Sequence, residues 1–191
     1  LLLHLPLSMV ETVQKAMAKY IVFSKAELQD ASADWCRFSV WGEDAKSCVE
    51  GLFGSVPKAN LNCVESDDGL VWANNADADE FIVYCKAESK AQLTGQLEQL
   101  ANATSLQVWE TKLISSARVY VTPDISDSYV PQMLNLQATG AINFKKGCYT
   151  GQEIVARMQY LGKLKRHLFI GEVSTDQGLE VGQQIDASKR K

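Results

Sequence analysis

The residues best suited to chemistry lie in one short segment, Lys145–Glu153, which reads KKGCYTGQE. At its centre is Cys148, which follows two lysines and a glycine. A cysteine reacts as its thiolate, and both nearby positive charge and a following helix N-terminus favour the thiolate over the thiol. Lys145 and Lys146 supply positive charge, and Arg157 adds to it if the fold brings it near. The segment therefore predicts a functional thiol at Cys148.

The element that must position this thiol is a helix that begins directly after it. Thr150 and Glu153 stand in the S/T-x-x-E relation of a capping box. The pattern predicts a helix from about Gly151 to Gly162, because glycine suits the position after a helix C-terminus. Cys148 would then lie two residues before the N-cap, among the free N–H groups of the first turn.

The other four cysteines are predicted to be structural and inert. Cys36, Cys63 and Cys85 fall on the apolar faces of predicted strands, and Cys48 falls in a predicted helix. Their spacings match no zinc site and contain no C-x-x-C pair, so no metal ligand is assigned. An odd number of cysteines, with no visible secretory signal, favours a reduced and cytoplasmic protein.

Neither histidine is well placed in the sequence to serve Cys148 as a general base. His4 lies in a predicted strand near the start of the chain, and His167 follows the motif across a basic linker. A Cys–His pair requires the two side chains to be in contact, which spacing does not establish. A redox, metal-contacting or carrier role therefore suits Cys148 better than protease-type nucleophilic catalysis.

The segment KKGCYTGQE, with Pro131-Gln132 and Asn135-Leu136 upstream, resembles the signature of the YgfZ family. These are folate-binding proteins related to the T-protein (aminomethyltransferase) of the glycine cleavage system. The resemblance covers essentially the whole chain. Further points of likeness are, in order, Lys19-Tyr20, Val22 to Lys25, Trp109 and the basic stretch after Gly162. Family members are longer at both ends, so we expect an internal piece that lacks most of the first domain and most of a C-terminal barrel.

The resemblance implies that the protein binds tetrahydrofolate or a derivative. Trp109 matches a pterin-contacting tryptophan of the family, and a flat aromatic ring is suited to stack on a pterin. Its helical periodicity alone would make Trp109 a core residue, and that alternative stays open. Lys146, Gln152 and Arg157 are the other cofactor-binding candidates, and Lys146 could contact a folate glutamate tail or an RNA phosphate. The remaining tryptophans are expected to pack the fold: Trp35, Trp41 and Trp72.

One departure from the family pattern follows the helix that carries Trp109. Where family members usually have a Gly and a Pro, this chain reads Ala117-Arg118-Val119. Because glycine and proline fix special backbone angles, the local backbone at the wall of the folate pocket is expected to differ.

By resemblance, the protein supports the assembly or repair of iron–sulfur enzymes and influences tRNA modification through enzymes that carry such clusters. Cys148 would be its working thiol, and direct contact with tRNA stays open. One alternative is a true folate-dependent aminomethyl transferase, whose acidic catalytic residue would lie outside this stretch. Another is a partner-binding module in which the motif only closes a domain junction. No membrane partner is expected, because the apolar run Leu1–Leu5 is too short to span a bilayer.

The distribution of charge bears on the choice of partner. The net charge of −4 argues against generic nucleic-acid binding. Residues 1–144 carry 10 basic and 18 acidic side chains, whereas residues 145–191 carry 9 basic and 5 acidic ones. The basic region that includes the motif could meet an anionic ligand or RNA, or it could be a solvated surface strip.

The order of predicted elements indicates an α+β fold. The alternation in residues 34–101 favours a ferredoxin-like antiparallel sheet with helices on one face. The resemblance makes this sheet part of a folate-binding fold of the aminomethyltransferase type, followed by the start of a C-terminal β-barrel. Strands are predicted at 1–5, 21–28, 35–41, 60–65, 70–74, 80–86 and 168–173, and helices at 8–20, 44–53, 89–101, 104–117 and 151–162.

Four regions follow from this reading. Residues 1–25 are the end of an N-terminal folate-binding subdomain, and residues 26–103 form the ferredoxin-like subdomain. Residues 104–164 return to the folate-binding subdomain and carry the cysteine motif, and residues 165–191 begin the barrel. Ser8 and Glu11 are expected to form a capping box at the first helix.

Overall fold

A computed structural model describes residues 1–58, 62–67, 69–75, 77–162, 164–180 and 182–185. It divides into two compact units. Unit 1 comprises Leu1–Glu110 and Tyr120–Ser126, and unit 2 comprises Thr111–Val119 and the described residues from Asp127 onward. The four regions expected from the sequence stay a prediction.

Unit 1 is built on a four-stranded sheet with the order β1-β4-β3-β2, in which every neighbouring pair is antiparallel. The strands are β1 (Trp35–Trp41), β2 (Cys63–Ser66), β3 (Gly69–Ala73) and β4 (Glu80–Lys86). The predicted antiparallel sheet and α+β class are confirmed. Three positions of the predicted hairpin lie outside the described residues: Asn60, Leu61 and Asp68.

Helices cover one face of this sheet, as predicted. The chain forms α1 (Val10–Ile21), α2 (Ala45–Phe53) and α3 (Lys90–Leu100). Alternate strand residues project to the same side, and α2 and α3 pack against that side. The fully buried members of this core include Val49, Val71, Phe81 and Val83. Burying such side chains contributes roughly 1.5–3 kcal/mol each.

The strand side chains that point away from the apolar core are mostly aromatic or polar, and they lie on the opposite face of the sheet. Arg37 pairs across the strands with Tyr84, and Tyr84 also pairs with Leu70. The ring of Trp72 stacks on Tyr84 at 5.1 Å between centroids. His4 lies 5.9 Å from the Tyr84 ring in an edge-on arrangement. This face is therefore also covered, and Tyr84 keeps only 9% of its surface exposed.

Gly69 permits the close pairing of β3 and β4. Its φ is +153°, and a Cβ built on it would lie 2.0 Å from the carbonyl oxygen of Tyr84. No side chain fits that space without moving the strands apart, so glycine is required at the start of β3.

Two further helices complete the described fold, α4 (Leu106–Ser115) and α5 (Gln152–Tyr160). Helix α5 packs in unit 2 on a 3-10 turn, Pro131–Leu134. Val155 on α5 and Leu134 on the turn are both buried, at 8% and 9% exposed. No helix among the described residues is long and apolar enough to cross a lipid bilayer.

Three predicted strands are wrong. Residues 1–5 have no strand partner. Residues 21–28 begin with the end of α1, where the N–H of Ser24 donates to Ile21, and Phe23 is 99% exposed. Residues 168–173 form no strand because Leu168 is bonded to the 3-10 turn region instead. The C-terminal barrel itself stays a prediction.

Both predicted capping boxes are also wrong. Ser8 lies inside a short 3-10 turn, and Glu11 pairs with Lys15 one helical turn later. At α5 the N-cap is Gly151, with a left-handed φ of 90°, and no side chain in the described part of the chain caps the helix. Thr150 is therefore one residue too early to receive the first free N–H groups.

Candidate functional site

The thiol-bearing loop precedes α5 in unit 2. Cys148 is exposed, and it lies three residues before the N-cap Gly151. The N–H of Gln152 donates to the carbonyl of Tyr149, which turns the chain into the helix. The predicted position of Cys148 near a helix N-terminus is thus correct to within one residue.

Lys146, two residues before the thiol in the sequence, lies over an aromatic ring. The Lys146 ammonium lies 4.4 Å from the centroid of the Tyr149 ring, within the range of a cation–π interaction. Both Lys146 and Cys148 are exposed, so solvent screens the charge of the lysine at the thiol. The arrangement keeps a cation beside the loop, and no carboxylate among the described residues pairs with it.

The remaining motif residues lie along α5. Gln152 and Glu153 line a shallow surface depression of about 400 Å³, together with Tyr149, Gly151 and Ala156. Arg157 is exposed, and it lies one turn further along the helix, where its carbonyl accepts the N–H of Leu161. Gln152 therefore borders the loop, and Arg157 presents its charge to solvent.

A polar anchor fixes the helix that follows the thiol. The side-chain amide of Gln132 donates to the main-chain carbonyl of Val155, and Gln132 is 1% exposed. Asn135 adopts a left-handed φ of 55°, and its amide donates to the carbonyl of Leu168 at 2.9 Å. The N–H of Leu168 donates to Met133 at 2.9 Å. The upstream segment thus holds both α5 and the chain beyond it.

The other cysteines divide by burial. Cys48 and Cys85 are buried, and burial raises the pKa of each thiol. Cys63 is exposed, which corrects the prediction that it lies on the apolar face. The register pairs Val64 with Val71 and so turns Val64, not Cys63, toward the core. Partial burial raises the pKa of the Cys63 thiol, and the negative charge of Glu65 raises it further.

Trp109 belongs to unit 1, where it is 7% exposed. Its ring lies 5.2 Å from that of Trp41, tilted by 46°, and the Arg37 guanidinium lies 5.4 Å from its centroid. A groove of about 760 Å³ runs along β1 in this unit and is lined by Trp41, Trp109 and Arg37, among others. Its size and two tryptophan rings fit a flat heteroaromatic ligand.

Comparison with known proteins decides the family. No family model matches the sequence. Three curated relatives carry the name "tRNA-modifying protein YgfZ". The relative from Colwellia psychrerythraea is 38% identical over 170 residues, which is 88% of this chain and 51% of the relative. The relative from Yersinia enterocolitica is 31% identical over 179 residues, covering 94% and 54%. The relative from Serratia proteamaculans is 32% identical over 162 residues, covering 85% and 49%. The chain belongs to the YgfZ family.

Membership in the YgfZ family confirms the resemblance drawn from the motif. The chain spans about half the length of the curated relatives it matches. The family residues predicted to bind a cofactor fall in two separately described units. Trp109 is in unit 1, whereas Lys146, Gln152 and Arg157 are in unit 2.

Two residues of this chain with unusual surroundings were not singled out from the sequence. Arg37 and Tyr84 meet on the aromatic face of the sheet, and each has buried polar atoms without a hydrogen-bond partner among the described residues. The sequence signal was the placement of Arg37 between Trp35 and Trp41 on one side of an alternating strand. An arginine among tryptophans on a strand face is a pattern that could have indicated the site.

Proposed function

We propose that this chain is part of a YgfZ-type accessory protein of the cytoplasm that binds tetrahydrofolate or a derivative. The protein supports the assembly or repair of iron–sulfur enzymes, including enzymes that modify tRNA. Cys148 is its working thiol. The observation that carries this proposal is the family match, in which the named relatives are tRNA-modifying proteins.

The loop supports a chemical role for the thiol. Cys148 is exposed, whereas the helix behind it is anchored by the buried Gln132. An exposed thiol on a fixed element can approach a partner protein without a large rearrangement. Thiolates are the soft ligands that iron–sulfur clusters use, so this side chain suits contact with such a cluster in a partner.

The folate part of the proposal rests on Trp109 and the groove beside it. Trp109 and Trp41 present aromatic surface in a space large enough for a bicyclic ring. Because Trp109 is 7% exposed, binding requires Trp41 or Arg37 to move and expose a face of its ring. When bound, folate would carry a one-carbon group, and the residues that line the groove of this chain would orient its ring system.

Folate binding can be tested directly on this chain. Tetrahydrofolate should quench tryptophan fluorescence in a saturable titration, and Trp109→Phe should weaken binding by about tenfold, because a smaller ring loses stacking area. Trp35→Phe is the matched control, since Trp35 contacts Lys86 instead of the groove. Equal effects of the two substitutions would remove Trp109 from the proposed site.

The role in tRNA modification requires a cellular test. The chain would be grafted over the matched region of an Escherichia coli relative and expressed in a strain that lacks its own YgfZ. Mass spectrometry of total tRNA then measures the nucleosides whose synthesis requires iron–sulfur enzymes. Cys148→Ser should lower their amount, whereas Cys63→Ser, the other exposed cysteine, should not. Full activity of Cys148→Ser would contradict the proposed thiol.

A further inference from the structure

The aromatic face of unit 1 contains an arginine that has no counter-charge among the described residues. The Nε and Nη2 atoms of Arg37 are buried and have no hydrogen-bond partner among the described residues. No carboxylate in the described part of the chain forms an ion pair with this guanidinium. An arginine stays protonated under all ordinary conditions, so the charge cannot be removed by titration. An uncompensated buried charge is costly, and an anion that reaches it is strongly favoured.

The two unpartnered donors define the shape of the anion. Nε and Nη2 share one edge of the guanidinium plane, and their N–H bonds point in parallel. This edge matches the two oxygens of a carboxylate in a bidentate pair. A spherical anion would use only part of this geometry.

Tyr84 adds a third donor at the same place. It is the cross-strand partner of Arg37, and its hydroxyl is also buried without a hydrogen-bond partner among the described residues. Burial raises the pKa of Tyr84 to about 12, and Arg37, through its charge and its close side-chain contact with the hydroxyl, only partly opposes this, so the group remains an O–H donor. Burial, and then the same charge, lowers the pKa of His4 to about 4, so its ring is neutral at neutral pH.

The surroundings indicate what the carboxylate is attached to. Arg37 lines the groove along β1 together with Trp41 and Trp109, and its guanidinium lies 5.4 Å from the Trp109 centroid. The lining next to the cation is therefore aromatic, and the carboxylates of Glu43, Asp44 and Glu98 line the groove as well. A ligand with an aromatic or apolar body would bury that body against the tryptophans while its carboxylate meets the guanidinium.

We propose that Arg37 and Tyr84 form the polar end of a binding site for a small aromatic carboxylate, whose ring lies against Trp41 and Trp109. The inference concerns the same groove as the proposed folate site and adds the polar groups that would bind a carboxylate there. It rests on the guanidinium edge, does not involve Cys148, and would stand even if tetrahydrofolate did not bind.

Nuclear magnetic resonance of the arginine side chains tests the site. The sequence has five arginines, so the ¹⁵N-labelled chain gives few Nε–H signals, and Arg37→Lys assigns the one of interest. Benzoate is the probe, and benzamide is its neutral match. Benzoate should shift the Arg37 Nε–H signal saturably in the millimolar range, and benzamide should not. No saturable shift, or equal shifts at all arginines, would overturn the proposal.

Two substitutions separate the effect of the paired N–H donors of Arg37 from the effect of its charge. Arg37→Lys keeps the charge but loses the paired donors, and it should weaken benzoate binding by about tenfold or more, as measured by tryptophan fluorescence. Tyr84→Phe should weaken it by a factor of about five, and Tyr129→Phe, an exposed tyrosine of unit 2, should leave it unchanged. Unchanged affinity in both Arg37→Lys and Tyr84→Phe would refute the site. If either variant fails to fold, the comparison of benzoate with benzamide on the unmodified chain still decides.

Discussion

The side chain of Gln132 and the main chain of Val155 are joined by a hydrogen bond across 23 residues of sequence. It ties the helix that follows Cys148 to a 3-10 turn, and it does so at a position where Gln132 is 1% exposed. The stability of the thiol loop therefore depends on a residue outside the cysteine motif.

Replacing Gln132 tests this anchor. Gln132→Ala should lower the free energy of unfolding by about 2–4 kcal/mol, because it removes the hydrogen bond and leaves a cavity. Gln132→Met should cost less, since it fills the space and removes the buried Oε1 that has no hydrogen-bond partner among the described residues. Urea denaturation followed by circular dichroism measures both. Gln159→Ala, on the exposed side of α5, is the control and should change stability little.

A second prediction separates the two roles of Asn135. Its left-handed backbone suits glycine, and its side chain bonds Leu168. Asn135→Gly should cost about 1 kcal/mol for the lost hydrogen bond. Asn135→Ala should cost about 1 kcal/mol more, because alanine is strained at a positive φ. Equal losses of unfolding free energy for the two variants, in the same denaturation experiment, would show that the positive φ of residue 135 does not affect stability.

Alanine substitutions at two glycines of unit 1 should change the stability of the chain in opposite directions. Gly69→Ala places a Cβ 2.0 Å from the Tyr84 carbonyl oxygen, so we expect a loss of about 3 kcal/mol or more. Gly95 lies inside α3, and no described atom beyond its chain neighbours and the helix's own backbone lies within 4 Å of the point that an added methyl group would occupy. Gly95→Ala should therefore stabilise the chain by roughly 0.5–1 kcal/mol. Tryptophan fluorescence during urea unfolding measures both. Tolerance of alanine at position 69 would contradict the described pairing of β3 and β4.

The pH dependence of stability should report on His4. Its pKa in the folded chain is lowered from 6.5 to about 4, first by burial and then by the charge of Arg37. Between those two values the unfolded chain binds the proton and the folded chain does not, so acidification across this range destabilises the fold. His4→Gln should flatten that part of the stability profile, because it removes the group that binds the proton. A profile unaffected by His4→Gln would exclude the burial of this ring.

Timed alkylation should rank the cysteines. Cys148 and Cys63 are exposed, and the raised pKa of Cys63 lowers its thiolate fraction at neutral pH below that of an ordinary free thiol. We expect Cys148 to react several-fold faster than Cys63, and Cys48 and Cys85 to react only on unfolding. Mass spectrometry of iodoacetamide-treated peptides gives the order. Faster modification of Cys63 would contradict the described environments.

The sequence predicted the parts of the fold that leave a periodic pattern. β1 and β4 were found because alternate residues face an apolar core, and α2 and α3 because they cover that core. The strand predicted at 168–173 failed because two hydrogen bonds from the 3-10 turn region occupy Leu168, and a single long-range contact of this kind has no local pattern. The hydrogen bond between Gln132 and Val155 was not predicted for the same reason, because a single long-range contact leaves no local pattern. Thr150 failed as a cap because Gly151 adopts a left-handed angle that the S/T-x-x-E pattern does not encode.

The candidate site was predicted only in part. Cys148 was placed correctly before a helix, because charge, glycine and helix signals coincide in one segment. Arg37 and Tyr84 were not found, because their relationship depends on the register of β1 and β4, which brings together residues 47 positions apart. A sequence shows directly which residues are neighbours along the chain, but it does not show which residues the strand register makes neighbours across a sheet.

The chain also has a separate optical signal for each of its units. All four tryptophans lie in unit 1, and the exposed thiol of Cys148 lies in unit 2. Intrinsic emission therefore reports on the sheet and its groove alone. A dye attached to Cys148, in a background where Cys63 is replaced by serine, reports on the motif loop alone. One sample can thus reveal whether the two units melt together or in sequence, without adding a single probe residue.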